Sequence, residues 1–407
     1  MRLLYTIAIH LYSLGVRVAA LFGHGKAKQW VEGRKNQRLR EETDSEWIWF
    51  HAASLGEFEQ GRPVIEALKR DCPQYKILLS FFSPSGYEIR KDYPLADEVL
   101  YLPPDTPRNA EAWVKRHRFA AAFFIKYEFW FNYLDALKKT GIPLFYISLI
   151  LNPKSFFFKP YGSWFRKQLD SVTHFFVQDE NTADLLKGLG YGNVTVCGDT
   201  RFDRVAAIAQ QAKPFPDIER FIGGRKCIIA GSTWPPDEKL LAGFFHELPQ
   251  DYCVILAPHD ISASHIAQIR TMFPEAMLYS EFQSEIRSNI LILNTIGILS
   301  QLYQYARFVY IGGGFGVNIH NIQEPVSFGC PVVFGPKYKS FKEAVDLVAR
   351  QGAFSVGDAE ELMSVFGRLM HDEAFFAQAS ETCLAYLKSQ LGATQSIMQD
   401  FKKSLFL

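Results

Sequence analysis

The stretch that most constrains the fold runs from Phe308 to Pro336: F-V-Y-I-G-G-G-F-G-V-N-I-H-N-I-Q-E-P-V-S-F-G-C-P-V-V-F-G-P. Phe308 to Ile311 is a short apolar run of the kind buried in a parallel sheet. Gly312, Gly313, Gly314 and Gly316 follow at the strand end, where the missing side chains let backbone N–H groups close on a ligand. His320, Asn321 and Glu324 come next. Glu324 precedes Pro325 near a helix start, where a carboxylate is stable and can accept from sugar hydroxyls. Strand, glycine turn, short helix and strand together form the repeating unit of an open α/β sheet. A plain glycine turn explains the glycines, but not the His, Asn and Glu grouped after them. The segment is therefore read as a nucleotide-sugar site.

Two better-known phosphate loops are excluded. Gly312 and Gly314 begin a G-x-G, but Val317 stands where G-x-G-x-x-G needs its last glycine, and no G-x-x-x-x-G-K-[ST] occurs. At 407 residues the chain has room for two domains. Its formal net charge of +1 gives no footprint for nucleic acid. The six cysteines (Cys72, Cys197, Cys227, Cys253, Cys330, Cys383) show no C-x-x-C spacing and read as reduced core residues. No His, Cys and carboxylate cluster has metal-ligand spacing, so no metal is expected.

Leu3 to Phe22 is apolar and nearly long enough to span a bilayer. Its polar residues Thr6, His10, Ser13 and Arg17 are spaced four, three and four apart and form one helical stripe. Such a stripe suits a helix lying in the membrane surface better than a spanning one, and a helix packed on the protein's own core is the alternative. Lys26, Lys28, Arg34, Lys35, Arg38 and Arg40 follow, which places the rest of the chain on the cytoplasmic side.

The strand-and-helix alternation then begins. Trp47 to Ala53 is a strand, and Ser54-Leu55-Gly56-Glu57 ends it. Glu57 thus stands at the carboxyl end of a strand, where open sheets place ligands. It can be a shielded general base or a carboxylate complementing a helix start, and local sequence does not decide between them. His51 reads as a packing residue. Lys76 to Phe82 is the next strand, and Ser83-Pro84-Ser85-Gly86 opens a helix as an anion site or a capped turn. Glu98 to Leu102, Phe119 to Tyr127, Leu144 to Leu151 and His174 to Gln178 continue the series. The mixed aromatic and basic segment Phe156 to Arg166 suits either a lipid surface or the core.

Val194 to Cys197 leads into Gly198-Asp199-Thr200-Arg201-Phe202-Asp203, and Pro214 and Pro216 mark a boundary. The pattern restarts with Cys227 to Ala230, which ends in Gly231-Ser232-Thr233-Trp234-Pro235-Pro236. Cys253 to Ala257, Ile290 to Leu293, Phe308 to Ile311 and Pro331 to Phe334 follow, with helices from about Ala359. The chain divides into a membrane-associated helix over 1–28, a doubly wound domain over 29–210 and another over 211–407. The terminal helices are allowed to pack back on the first domain. Two such halves define a cleft, which Glu57 and Glu324 would face from opposite sides.

In order and spacing these residues resemble the 3-deoxy-D-manno-octulosonic acid (Kdo) transferases of lipopolysaccharide assembly. The resemblance rests on H-A-A-S-L-G-E at His51 to Glu57, S-P-S-G at Ser83 to Gly86 and Y-L-P-P-D at Tyr101 to Asp105. It continues with Y-E-F-W-F-N-Y-L at Tyr127 to Leu134, G-D-T-R-F-D at Gly198 to Asp203 and G-S-T at Gly231 to Thr233. H-N-I-Q-E-P at His320 to Pro325 and F-G-P at Phe334 to Pro336 complete it.

The resemblance implies a GT-B fold of two Rossmann-like domains. It implies transfer of Kdo from CMP-Kdo to a primary hydroxyl of the lipid A precursor with inversion, at the cytoplasmic face of an inner membrane, without a cofactor. Glu57 would be the catalytic base, and Ser83, Ser85, Gly86 and Glu128 would line the acceptor side. Arg201, Ser232, Thr233, His259, Gly313, Gly314, His320 and Asn321 would bind the donor, with Glu324 on its ribose. This sequence has Asn318-Ile319 where the family has Gly-Gly, Ala257-Pro258-His259 where it has Pro-Arg-His, and Arg201 where it has Lys. These departures touch donor contacts rather than the reaction class. The competing readings are a UDP-sugar 2-epimerase on a similar plan and a non-catalytic, membrane-docked sugar-nucleotide binder.

Overall fold

The computed structural model describes residues 1–37, 42–282 and 288–405. Arg38 and Arg40 of the basic run lie outside the described residues. The chain forms two compact units, one of residues 1–203 with the segment from Gly392 onward, the other of residues 204–391. Each is built on one sheet, and both sheets have seven parallel strands.

The strands of the first unit are β1 (Glu42–Ala52), β2 (Lys76–Phe81), β3 (Glu98–Tyr101), β4 (His117–Ile125), β5 (Leu144–Leu149), β6 (His174–Val177) and β7 (Val194–Val196). They lie in the order β3-β2-β1-β4-β5-β6-β7. Those of the second unit are β8 (Lys226–Thr233), β9 (Tyr252–Pro258), β10 (Met277–Leu278), β11 (Ile290–Ile292), β12 (Ala306–Ile311), β13 (Val332–Phe334) and β14 (Ala353–Ser355), in the order β10-β11-β9-β8-β12-β13-β14. Helices cover both faces, so the central strands are buried on both sides and read as continuous apolar runs. β10 and β14 have no counterpart in the sequence reading.

Each sheet has a point where chain order reverses, between β1 and β4 in the first unit and between β8 and β12 in the second. Loops leaving the carboxyl ends of such a strand pair diverge to opposite faces and open a crevice, where ligands of this architecture bind. Ser54 to Glu57 follow β1 and Lys126 to Glu128 follow β4. Ser232 and Thr233 end β8, and Gly312 to Gly314 follow β12. Lys126 and Ser232, one at each reversal, have positive φ values of 66° and 54°, a costly left-handed conformation for residues with a Cβ.

The C-terminal helix Ala393–Leu405 belongs to the first unit. Phe401 packs on Phe123 of β4 and Phe145 of β5 at ring distances of 5.2 and 5.7 Å. Asp203 accepts from the Gly392 and Thr394 N–H groups at the start of this helix, both at 2.7 Å.

The N-terminal helix α1 (Arg2–Leu21) is amphipathic in an unusual sense. Its inner face is anchored by polar and aromatic groups. Tyr5 donates to the buried Asp105 at 2.6 Å, Arg2 pairs with Asp135 at 2.9 Å, and Tyr5 packs on Phe131. Its outward face exposes Leu3, Leu4, Ile7, Leu11, Leu14, Val18, Leu21 and Phe22. Of the polar stripe, Ser13 is buried and Thr6 half-buried, while His10 and Arg17 are exposed. Helix α2 (Gly25–Asn36) turns Arg34 inward. Its guanidinium lies 3.8 Å from the Trp30 ring and donates to the carbonyls of Leu102 and Phe82, so it is a structural tie. Lys26, Lys28 and Lys35 remain exposed.

Candidate functional site

In the first unit the site is built on the β1 and β4 ends. Glu57 is the third residue of helix α3 (Leu55–Asp71). Its Oε2 accepts from the Ala53 N–H at 2.6 Å and the Ser54 N–H at 3.1 Å. Among the described residues Oε1 has no hydrogen bond. The side chain is 7% exposed. Burial, and then the negative charge of Glu128, push its carboxyl up to about 8, against the lowering effect of the two N–H donors and Lys126. One oxygen caps the helix and the other is unengaged, on a carboxyl that titrates near neutrality.

Glu128 is fixed by its surroundings. Trp130 shares its indole N–H between Glu128 Oε2 at 2.8 Å and His51 Nε2 at 2.9 Å. On the other side of the ring, His51 Nδ1 faces Ser80 Oγ at 2.9 Å. Ser80 in turn accepts from Trp49 Nε1 at 2.7 Å and donates to the Phe50 carbonyl. The buried chain Trp49–Ser80–His51–Trp130 thus ends on Glu128 and gives His51 a positioning role. Sequence reasoning missed it because Trp130 and His51 are 79 positions apart.

Ser83, Ser85 and Gly86 join this cluster. Ser83 donates its N–H to the Ala53 carbonyl at 2.8 Å, which ties the loop after β2 to the Glu57 turn. Ser83 Oγ accepts from the Ser85 N–H and lies 3.0 Å from Ser85 Oγ, at the start of helix α4 (Pro84–Arg90). A Cβ on Gly86 would stand 2.3 Å from the Phe81 ring and 3.1 Å from the Ser54 backbone, so only glycine allows this approach. Arg201 belongs to the same unit. Its Nε and Nη2 grip Asp199, with Nη2 to Oδ2 at 2.6 Å, and Gln60 donates to the same oxygen.

In the second unit, Asp237 organises the site and was not singled out from the sequence. It is the third residue of helix Pro235–Phe245 and is fully buried. It accepts from the Trp234 N–H (2.9 Å), the Gly313 N–H (2.9 Å) and the Tyr310 hydroxyl (2.8 Å), which clamps the loop after β8 to the loop after β12. The glycines serve this closure. A Cβ on Gly312 would lie 2.3 Å from the Ser232 carbonyl, and one on Gly314 would lie 2.6 Å from the Gly335 nitrogen. The N–H groups of Gly312, Gly313 and Gly316 are spent on Gly231, Asp237 and Gly313. The expected cradle of free glycine N–H groups is therefore reduced, because loop-to-loop packing consumes them. Pro235 and Pro236 also remove two donors from the helix start.

Side-chain polar groups stand beside these loops. Ser232 Oγ has no hydrogen-bond partner among the described residues. Thr233 is fully buried, with its hydroxyl on Glu238 at 3.0 Å, so its side chain is structural. Trp234, His259 and His320 form a stack, with His259 at 4.6 Å from Trp234 and 4.5 Å from His320. Trp234 donates its indole N–H to His320 Nε2 at 2.9 Å. Burial, then the neighbouring His259, push the His320 imidazole down, which fits an unprotonated Nε2. Asn321 donates to Glu324 Oε1 at 3.3 Å and accepts from the Gln323 N–H, which presets the short helix Gln323–Ser327 carrying Glu324.

Two parallel seven-stranded units, each with one strand-order reversal, make up a GT-B fold. The fold agrees with that of UDP-GlcNAc 2-epimerase from Neisseria meningitidis bound to UDP-GlcNAc. The TM-score is 0.63 at 13% identity, over 88% of this chain and all of that one. The sequence points more narrowly. Residues 24–204 match the 3-deoxy-D-manno-octulosonic-acid transferase (kdotransferase) family. The chain is 25% identical over 331 residues to the 3-deoxy-D-manno-octulosonic acid transferase of Aquifex aeolicus, covering 79% of this chain and 86% of that one. It is 24% identical over 370 residues to that of Chlamydophila psittaci, covering 87% and 84%. The chain is thus similar in sequence to 3-deoxy-D-manno-octulosonic acid transferases over most of its length.

Proposed function

We propose that this protein transfers Kdo from CMP-Kdo to a primary hydroxyl of a lipid A precursor with inversion, at the cytoplasmic face of an inner membrane. The observation that carries this reading is Glu57. It is a buried carboxyl with one unengaged oxygen, raised to about 8, at the strand-order reversal of the unit that matches the family. A general base works best when its pKa lies near the working pH. In the proposed mechanism Glu57 Oε1 takes the proton of the acceptor hydroxyl as its oxygen attacks the ketosidic carbon. The bond from that carbon to the CMP phosphate breaks on the opposite face. Burial first, and then Glu128 held by Trp130, keep the Glu57 pKa high. On the donor unit, Ser232 Oγ and the His259 and His320 imidazoles are the groups available to the departing phosphate. Gly314 and Arg201 are assigned supporting donor contacts, and Glu324 the ribose hydroxyls. The outward face of α1 rests in the membrane surface, which suits its exposed leucines and the lysines of α2.

The test is incubation with CMP-Kdo and tetraacylated lipid A precursor, followed by mass spectrometry of the lipid. A mass increase of one or more Kdo units is expected from the wild type and none from Glu57→Gln. The shared fold favours a second reading, UDP-sugar 2-epimerisation. Conversion of UDP-GlcNAc to its 2-epimer, with no Kdo on the lipid, would replace the first reading by the second.

A further inference from the structure

Three rings meet just past the ends of the neighbouring strands β9, β8 and β12. Trp234 donates its indole N–H to His320 Nε2 at 2.9 Å, and the two ring planes are only 12° apart, so the bond runs close to the plane of both. His259 lies against both rings, 4.6 Å from that of Trp234 and 4.5 Å from that of His320. Gly313 leaves room for the imidazole, since a Cβ there would stand 3.1 Å from His320 Cδ2. The Nε2 and Cδ2 edge of His320 is thus taken up by the protein. Nδ1 has no hydrogen-bond partner among the described residues. Trp234 is 39% exposed and His320 is half-buried, so solvent reaches the group.

An indole nitrogen only donates, so this bond needs a lone pair on His320 Nε2 and leaves the ring proton to Nδ1. Protonating Nε2 would break the bond, strip the Trp234 N–H of its acceptor and set a charge beside His259. Burial and then His259 disfavour a charged His320 ring, against the opposing pull of Asp237. We propose that Trp234 is a positioning residue: it holds His320 as the Nδ1–H tautomer, so that His320 meets the departing phosphate as a neutral hydrogen-bond donor and not as a cation. The chemistry of departure allows this. The bond from the ketosidic carbon to the phosphate oxygen breaks with its electron pair left on that oxygen. No proton is needed there, because a phosphate monoester is a dianion above its second pKa of about 6. Glu57 is mostly deprotonated only above about 8, where an ordinary histidine, with a pKa of about 6.5, carries no charge. A donor that needs no charge works at that pH, and one already held in the right tautomer costs no reorganisation as the bond breaks. The inference rests on the reading of these loops as the donor's phosphate site.

The tautomer is read directly from the full chain labelled with ¹⁵N-histidine, at pH 8 and without ligand, by long-range ¹H–¹⁵N correlation. The His320 signals are those lost in His320→Ala. The wild type should show the proton on Nδ1, and Trp234→Phe, which keeps a ring beside His259 and removes the donor, should show a mixture of both tautomers. Calorimetric titration with CMP at the same pH then tests the consequence. His320→Ala should weaken CMP binding by about tenfold or more, and Trp234→Phe by about fivefold. The double variant should bind no more weakly than His320→Ala alone, because Trp234 acts through His320. Repeating the titration in two buffers of different ionisation enthalpy counts protons, and no uptake that depends on His320 is expected. Thermal melting checks each variant for folding. If Trp234→Phe does not fold, the wild-type tautomer and the proton count decide. A wild-type His320 with its proton on Nε2, additive losses in the double variant, or a proton taken up with CMP by the wild type and not by His320→Ala would overturn the inference and leave the donor site in place. CMP affinity unmoved by His320→Ala would overturn the inference together with the placement of the donor phosphate at these loops. The expected tautomer and coupling without Kdo transfer to the lipid would sink the transferase reading and leave this one standing for a nucleotide-phosphate site.

Discussion

Glu57 and Asp237 hold the same place in their units. Each is the third residue of the helix after the first strand of its sheet, and each accepts an N–H from the residue that caps that helix. Their surroundings then diverge. Asp237 is engaged at both oxygens by three donors, two from the loops after β8 and β12 and one from Tyr310 of β12. Glu57 is engaged at one oxygen only and faces the charge of Glu128. A fully satisfied buried carboxylate fixes structure, whereas a half-satisfied one beside a like charge keeps its proton to higher pH and can exchange it. One topological position thus holds a clamp in the second unit and a half-engaged carboxyl with a raised pKa in the first.

The comparison can be broken at either end. The largest effect is expected from Glu57→Gln, which should retain the fold and lose about 10²–10⁴-fold in kcat. A turnover like the wild type's would remove Glu57 from the chemistry. Asp237→Asn should act on stability first. One oxygen cannot accept all three donors, and leaving a buried one unpaired costs about 1–3 kcal/mol. Denaturant unfolding measures this, and CMP affinity should fall with it as the Gly313 loop loosens. Unchanged stability would mean that Asp237 does not clamp the loops.

Smaller effects concern protons. Glu57 binds its proton more tightly folded than unfolded, so the stability that goes with this is present at low pH and lost as pH rises through about 8. Glu57→Gln lacks that titration, so its melting temperature should fall less than the wild type's between pH 6.5 and 9. Parallel curves would show that Glu57 does not titrate there. Asn321 and Glu324 provide a control in the second unit. Glu324→Ala should weaken CMP binding by the loss of hydrogen bonds to a charged group, on the order of 1.5–3 kcal/mol each, without changing any pH profile.

The alternation of short apolar runs with helices was legible in the sequence because parallel strands buried on both faces read as unbroken hydrophobic segments. β10 and β14, two and three residues long, are too short to show a period. Glu57 was visible as a strand-end carboxylate, but not its half-capped state, which depends on the Ala53 and Ser54 backbone. The glycines after β12 were visible as a turn. That three of their N–H groups are consumed internally depends on Asp237 and Gly231, far away in sequence. The period of α1 showed a polar stripe but could not show which side meets the protein. Tyr5, Arg2 and Asp105 settle that through contacts across about a hundred positions.

The most direct test is the pH dependence of kcat/KM for Kdo transfer, in the wild type and in Glu128→Gln. A base raised to about 8 is deprotonated above that pH, so the wild-type rate should climb with an inflection near 8. Removing the Glu128 charge should leave burial as the main raising cause and move the inflection to lower pH. A flat profile, or an inflection that stays in place in Glu128→Gln, would contradict the assignment of Glu57 as a base tuned by its neighbouring carboxylate.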